Sequence, residues 1–127
     1  MTAHRARLAE VSLRNAIAKL VLFSLVLSAA RVLWPDLYPS AWPLVLTVLV
    51  LTVTGVIGDA TLVVRYGNVP PLLIGFFGMT AILWGVARLW PATHMTLERA
   101  VTVTLALGVV EFFLHRYVLS AIRTPAR

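Results

Sequence analysis

Four ionisable residues interrupt otherwise apolar segments of this sequence: Lys19, Asp59, Glu111 and His115. Such groups in apolar surroundings bind protons or cations, or join helices through ion pairs. Glu111 and His115 are four residues apart, which places them on one face of a helix. An acid near the C-terminal end of a helix is disfavoured by the helix dipole, so Asp59 should need a cationic partner, and Lys19 is the expected one. We predict that the four residues form an intramembrane polar cluster with Arg65 near its rim.

Two roles of this cluster follow from its chemistry. Ion pairs and hydrogen bonds between helices would fix the fold, and this interpretation is preferred because the charges can compensate one another. Alternatively, Asp59 or Glu111 changes its protonation state in a proton or cation site, with His115 as the relay. A third arrangement, in which the charged side chains only extend towards the lipid headgroups, needs no contact between them.

Other kinds of site find little support in the residue pattern. The chain has no Cys, which excludes disulfides, thiolate metal sites and a Cys nucleophile. Its three histidines, His4, His94 and His115, lie on different segments without ligand spacing, so no metal site is predicted. No Ser, His and acid are arranged for nucleophilic catalysis. We therefore expect neither an enzyme nor a cofactor.

The elements that must position these residues are apolar enough to lie in a membrane. The 127 residues are 60% hydrophobic and only 13% charged, with a mean hydropathy of +0.90. Membrane-spanning helices need about 20 apolar residues. The pattern predicts an all-α membrane protein, a bundle of four transmembrane helices in one domain, 1–127, with spans at about 16–34, 44–64, 69–90 and 96–117.

Residues 1–15 form a basic segment that we interpret as a solvated tail, with a short interfacial helix as the alternative. The first apolar run also resembles a secretory signal peptide. An uncleaved helix is the preferred interpretation because three further apolar runs follow.

The basic residues indicate an orientation. With four spans, eight of the 11 Lys and Arg residues fall on the side of the two termini, and only Arg31, Arg88 and Arg99 fall on the other side. Cytoplasmic loops carry an excess of Lys and Arg. The sequence therefore predicts a multi-pass protein of the bacterial cytoplasmic membrane with both termini in the cytoplasm, and it gives no sign of nucleic-acid binding.

Small residues mark two helix faces. Gly75, Gly78 and Gly85 lie roughly on one face of the third predicted helix, and Gly55 and Gly58 form a smaller patch on the second. Small residues let helix backbones approach closely in membranes. We expect these faces to pack against each other or, less favoured, against a second copy of the chain. A homo-oligomer or another membrane protein is thus a candidate partner besides the lipid bilayer.

The second and third helices are joined by a short turn with a specific residue pattern. Gly67 is suited to a positive φ at the end of a helix, and Asn68 is suited to cap the next helix. Around this turn, residues 56–84 read VIGDATLVVRYGNVPPLLIGFFGMTAILW. The pattern of Gly58-Asp59, then Arg65, an aromatic residue and Gly67-Asn68, resembles the YndM-like family of small integral membrane proteins.

The resemblance implies four spans and a similar length, but no activity, because that family is a domain of unknown function. The chain departs from the family pattern at Val64, where Pro is usual, and at Gly75, where an Asp is usual. The missing acid argues against a pair of carboxylates at that place in the third helix. The function expected is a structural or accessory role in the membrane. The alternatives are an oligomeric small transporter or channel that uses Asp59 or Glu111, and a holin-like pore former.

Overall fold

A computed structural model describes residues 2–123, which form four helices. These are α1 (Thr2–Leu33), α2 (Ala41–Tyr66), α3 (Val69–Ala87) and α4 (Leu97–Arg123). No strand occurs among the described residues, which confirms the all-α prediction. Met1 and residues 124–127 lie outside the described residues, and with them Arg127, which entered the count of basic residues.

Three of the four helices, α1, α2 and α3, are long and apolar enough to cross a membrane. The fourth, α4, is not among them, and it contains five charged residues, at positions 98, 99, 111, 116 and 123. Large apolar side chains are nevertheless exposed on the outer faces of all four helices. Exposed apolar surface on this scale is unusual for a water-soluble protein, and it suggests a membrane protein.

The first helix begins much earlier than predicted. It starts at Thr2, so the prediction of a solvated tail was wrong over the described part of residues 1–15. Val11 and Asn15 are buried and lie two turns and one turn before Lys19, on the same face of α1. Nearer the start of the helix, the Arg7 guanidinium donates to the backbone carbonyl of Ala121 at 2.8 Å. The segment is helical because it has the end of α4 to pack against. At 32 residues, α1 is about 48 Å long.

The second helix changes its winding at the candidate site. Ala41–Gly58 is α-helical, Asp59–Val63 is π-helical and Val64–Tyr66 is α-helical again. The N–H of Val64 donates to the carbonyl of Asp59, five residues earlier. This π-helical segment packs against all three other helices. Short π-helical segments often occur at functional sites.

The turn between α2 and α3 follows the sequence prediction in part. Gly67 has φ +86°, as predicted. Asn68 occupies the cap position of α3, but its side chain makes no capping hydrogen bond, so that part of the prediction was wrong. The side chain instead reaches α4, where its amide donates to the carbonyl of Phe112 at 3.3 Å.

Each helix packs against its neighbours in chain order, and α4 also packs against α1. The buried apolar side chains occupy the half of the molecule near the connections 34–40 and 88–96. These connections contact each other: the His94 N–H donates to the Leu37 carbonyl at 3.3 Å, and Arg99 binds Asp36 at 3.1 Å. Tyr38 is fully buried between them, and its burial raises the pKa of the phenol to about 12. The other half of the interior contains the buried charged side chains, together with Val11, Val63, Leu114 and Val118.

Candidate functional site

The polar half of the interior is built from side chains of three helices. On α1, Asn15 and Lys19 are one turn apart on the buried face. The π-helical segment of α2 supplies Asp59. The buried face of α4 supplies Glu111 and His115. We call Lys19, Asp59, Glu111 and His115 the charge quartet; all four are at most 5% exposed.

Lys19 lies between the two carboxylates. Its ammonium Nζ is 3.0 Å from Asp59 Oδ2 and also binds Glu111 Oε1. Its side chain passes over Gly55, where the ammonium would be only 3.1 Å from an added Cβ. A lysine side chain therefore fits between α1 and α2 because position 55 has no side chain. The predicted pairing of Lys19 with Asp59 is present in the structure.

His115 joins the same two carboxylates from the opposite side. Its Nε2 is 3.1 Å from Asp59 Oδ1 and 2.9 Å from Glu111 Oε2. Its Nδ1 is 3.2 Å from the Asn68 carbonyl and 3.0 Å from Asn68 Oδ1. The quartet is thus a closed ring in which cationic and anionic side chains alternate.

The hydrogen-bond partners define the protonation of this ring. A backbone carbonyl can only accept, so Nδ1 of His115 must carry a proton that it donates to Asn68. Nε2 faces two carboxylate oxygens, and a proton must lie between them for either contact to be favourable. When that proton is on Nε2, His115 is cationic and, with Lys19, supplies two positive charges against the two carboxylates. The buried ring is then neutral, which avoids most of the cost of an uncompensated charge.

The structure brings together four of the five residues predicted for the cluster, Lys19, Asp59, Glu111 and His115. Arg65 does not join them: it is exposed and lies next to the ring of Tyr66, 5.4 Å from its centroid. Position 65 follows the π-helical segment and faces outward, so Arg65, which was predicted near the rim of the cluster, is directed away from the quartet.

Two further polar residues were missed as members of the site. Asn15 donates from Nδ2 to Asp59 Oδ2 at 2.6 Å, and Asn68 holds His115. The spacing of Asn15 and Lys19, four residues apart, is a signal that could have identified Asn15. For Asn68 the residue pattern indicated only the turn, because its contact with α4 spans 47 residues.

A groove between α2 and α3 leads to the quartet. It has a volume of about 180 Å³, is bordered by Gly55, Gly58, Gly75 and Gly78, and reaches Asp59, Glu111 and His115. The quartet is therefore buried among helices but borders a space that is open along one side.

The glycines of these faces do not pack closely within the chain. An added Cβ at Gly58, Gly78 or Gly85 would meet nothing within 4 Å, and at Gly75 only Met79 of the same helix at 4.0 Å. The expected close packing of the two glycine faces within the chain is therefore absent at these positions, because a groove separates α2 from α3 there. Gly55 is close-packed, but against Lys19 of α1.

Comparison with known families gives one match. The profile of DUF2512, described as a protein of unknown function, matches residues 13–127. The chain belongs to the DUF2512 family. The matched residues include the whole charge quartet, as well as Asn15 and Asn68. The match carries no YndM-like name and no activity. No curated protein and no solved structure matches the chain.

Proposed function

We propose that this DUF2512 chain is a four-span protein of the bacterial cytoplasmic membrane with a structural or accessory role and no enzymatic activity. The observation that carries the proposal is the closed charge quartet. Every charged atom of the quartet faces a partner of opposite charge within the chain. Ion pairs that close within the chain join three helices of the bundle, and this is what a structural role requires.

The outer face of α4 supports its role as the fourth span. Leu105, Val109 and Phe113 follow one another at intervals of four and are each about 60% exposed. Two ionisable groups of the helix, Glu111 and His115, point into the protein. A helix with this distribution can lie in lipid although its mean hydropathy is lowered by buried polar residues.

The distribution of basic residues supports cytoplasmic termini. The contact of Arg7 with Ala121 puts the start of α1 and the end of α4 at one end of the molecule. Of the ten described Lys and Arg residues, seven lie towards that end: Arg5, Arg7, Arg14, Lys19, Arg65, Arg116 and Arg123. This excess matches the bias of cytoplasmic segments. We take the lipid bilayer as the main partner, with a second copy or another membrane protein as a further candidate.

A second candidate function is favoured by the groove. Because the space between α2 and α3 reaches Asp59, Glu111 and His115, an oligomer could use the carboxylates as a cation or proton site in a small transporter or channel. This function requires that ions reach the quartet through the groove.

Two carboxylate substitutions with matched controls separate the two functions. Asp59→Asn and Glu111→Gln remove one charge each from the quartet, whereas Asp36→Asn and Glu98→Gln make the same chemical changes at exposed positions. Thermal unfolding in detergent and cation or proton flux into proteoliposomes would be measured for each protein. We expect the two quartet variants to unfold at lower temperature than the controls, and the wild type to show no flux above empty liposomes.

The opposite pattern would overturn the structural role. Flux in the wild type that either quartet substitution abolishes, with the unfolding temperature unchanged, would make the carboxylates the working site of a transporter or channel.

A further inference from the structure

Within the charge quartet, Asp59, Glu111 and His115 each direct one polar atom towards the other two residues and the second polar atom elsewhere. Asp59 Oδ1, Glu111 Oε2 and His115 Nε2 converge on one another, with Nε2 lying 3.1 and 2.9 Å from the two oxygens. The other carboxylate oxygens, Oδ2 and Oε1, face away from this point and bind Lys19. The convergent atoms come from α2 and from two successive turns of α4.

We infer that Asp59, Glu111 and His115 form a binding site for a divalent transition-metal ion, with Zn²⁺ as the best-fitting ion. Imidazole nitrogen and carboxylate oxygen are both ligand types that bind Zn²⁺, and an ion held by three protein ligands keeps a fourth position for water. Bonds of about 2.0–2.2 Å in a tetrahedron place ligand atoms about 3.3–3.6 Å apart. The three ligand atoms, which lie within 4.8 Å of one another, need only small shifts to reach such a geometry.

The surroundings of the three ligands are those of an ordered metal site. Metal-binding histidines usually donate their second ring N–H to a carbonyl or carboxylate, and ligating carboxylates are themselves hydrogen-bonded. Here His115 Nδ1 faces the Asn68 carbonyl at 3.2 Å, and Asp59 Oδ2 accepts from Asn15 at 2.6 Å. Glu111 Oε1 accepts from Lys19. All three ligands are thus oriented by residues that would not themselves bind the ion.

Two independent features point to a ligand at this place. The groove between α2 and α3 reaches Asp59, Glu111 and His115, so an ion has a route to them. Asn15 Oδ1, in a side chain that is 98% buried and bonded to Asp59, has no hydrogen-bond partner among the described residues. A buried acceptor without a donor is typical of a position beside a bound water or ion.

Metal binding at these atoms displaces a proton and changes the net charge of the site. The metal ion takes the place of the proton on His115 Nε2, a nitrogen–metal bond replaces the nitrogen–hydrogen bond, and the proton leaves through the groove. The net charge of the site rises from zero to plus one, because Lys19 stays as a cation on the outer carboxylate oxygens. Lys19 therefore weakens metal binding, while it stabilises the metal-free protein.

This inference uses the residues of the proposed structural role, so its test must separate metal binding from stability. Tag-free protein, treated with chelator and purified in detergent, would be titrated calorimetrically with ZnCl₂ and, as a comparison, MgCl₂, which prefers oxygen ligands and retains its waters. The variants are Lys19→Met, His115→Asn and Glu111→Gln, with Glu98→Gln as the matched control. The unfolding temperature of each would be measured with and without Zn²⁺.

We expect one Zn²⁺ per chain in the wild type and in Glu98→Gln, and about 100-fold weaker binding of Mg²⁺. His115→Asn and Glu111→Gln should each weaken Zn²⁺ binding at least about tenfold. Lys19→Met should unfold at lower temperature without metal, bind Zn²⁺ at least about tenfold more tightly than the wild type, and regain its unfolding temperature with Zn²⁺.

Two results would overturn the inference. One is the absence of Zn²⁺ binding in the wild type, which can be measured even if Lys19→Met does not fold; this result leaves the structural role intact. The other is Zn²⁺ binding that His115→Asn does not weaken, which would place the ion at another part of the chain.

Discussion

Lys19 is held in the interior by contacts that no single helix provides. Its ammonium binds one carboxylate from α2 and one from α4, and it lies 5.3 Å from the centre of the Phe23 ring. Removing one partner of a buried ion pair leaves the other charge uncompensated, which typically costs about 3–5 kcal/mol. Each member of the charge quartet is therefore far more sensitive to substitution than the exposed pair of Glu10 and Arg14.

At the same scale, Tyr38 should make the protein less stable at alkaline pH. Burial raises the pKa of its phenol from 10.0 to about 12. The folded state then favours the neutral phenol, so the stabilisation is fully present below pH 10 and is lost as the pH rises through 12. We expect Tyr38→Phe to lose less stability than the wild type between pH 10 and pH 12, as measured by thermal unfolding in detergent.

The control for this prediction is Tyr66→Phe, which alters an exposed tyrosine. It should follow the wild-type profile. Identical alkaline profiles for the wild type and Tyr38→Phe would show that Tyr38 is accessible to hydroxide in the folded protein.

At the scale of the element, the second helix decides the shape of the site. Its α-helical part brings Gly55 against Lys19, and its π-helical part brings Asp59 to the same lysine. The extra residue in a π-helical turn changes which side chains face inward beyond that point. In α2, Asp59 and Val63 face the interior, whereas Arg65 is exposed.

Substituting the two glycines of α2 tests this arrangement. A Cβ at position 55 would lie 3.1 Å from Lys19 Nζ, and the lysine cannot move without lengthening its ion pairs. We expect Gly55→Ala to destabilise the protein by about 1–3 kcal/mol. Gly58→Ala meets nothing within 4 Å and gains helix propensity, so it should be neutral or stabilising by up to about 1 kcal/mol.

Both variants would be compared by thermal unfolding in detergent. A larger loss for Gly58→Ala than for Gly55→Ala would contradict the arrangement, and it would indicate that the groove face is packed against a second copy of the chain.

At the scale of the whole molecule, the interior has two different halves. The main cluster of buried apolar side chains lies in the half near the connections 34–40 and 88–96, and the charge quartet with Asn15 and Asn68 lies in the other half. Because the outer surface is apolar on all four helices, the polar groups are separated from the lipid by the helices that carry them. This is the usual position of ionisable residues in membrane proteins.

The proposed four-span topology can be tested with single cysteines, since the chain has none of its own. Ala6→Cys, Ser40→Cys and Arg123→Cys introduce thiols at exposed positions at the start of α1, before α2 and at the end of α4. In intact bacterial cells, a membrane-impermeant maleimide should label Ser40→Cys. The other two should be labelled only after the membrane is permeabilised.

The cysteine-free chain is the control for background labelling. Labelling of Ala6→Cys and Arg123→Cys from opposite sides of the membrane would mean an odd number of spans and would exclude the proposed topology.

The sequence by itself determined that the chain is helical and that its helices are suited to a membrane. Hydropathy and segment length are local properties, and the positive φ of Gly67 follows from the residue type at a short turn. The list of buried ionisable residues was also determined by the sequence, because Lys19, Asp59, Glu111 and His115 interrupt apolar runs. The resemblance to a family was visible at residues 56–84 around the turn, and this stretch lies within residues 13–127, which the DUF2512 profile matches.

Only the tertiary structure decided how these residues meet. The ring of alternating charges depends on the rotation of three helices about their axes, and the exposure of Arg65 depends on where the π-helical segment lies. The extension of α1 to Thr2 required a partner at the end of α4, and the groove at the glycine faces reflects the distance between α2 and α3. Spacing along one chain does not specify such contacts, because packing between helices sets them.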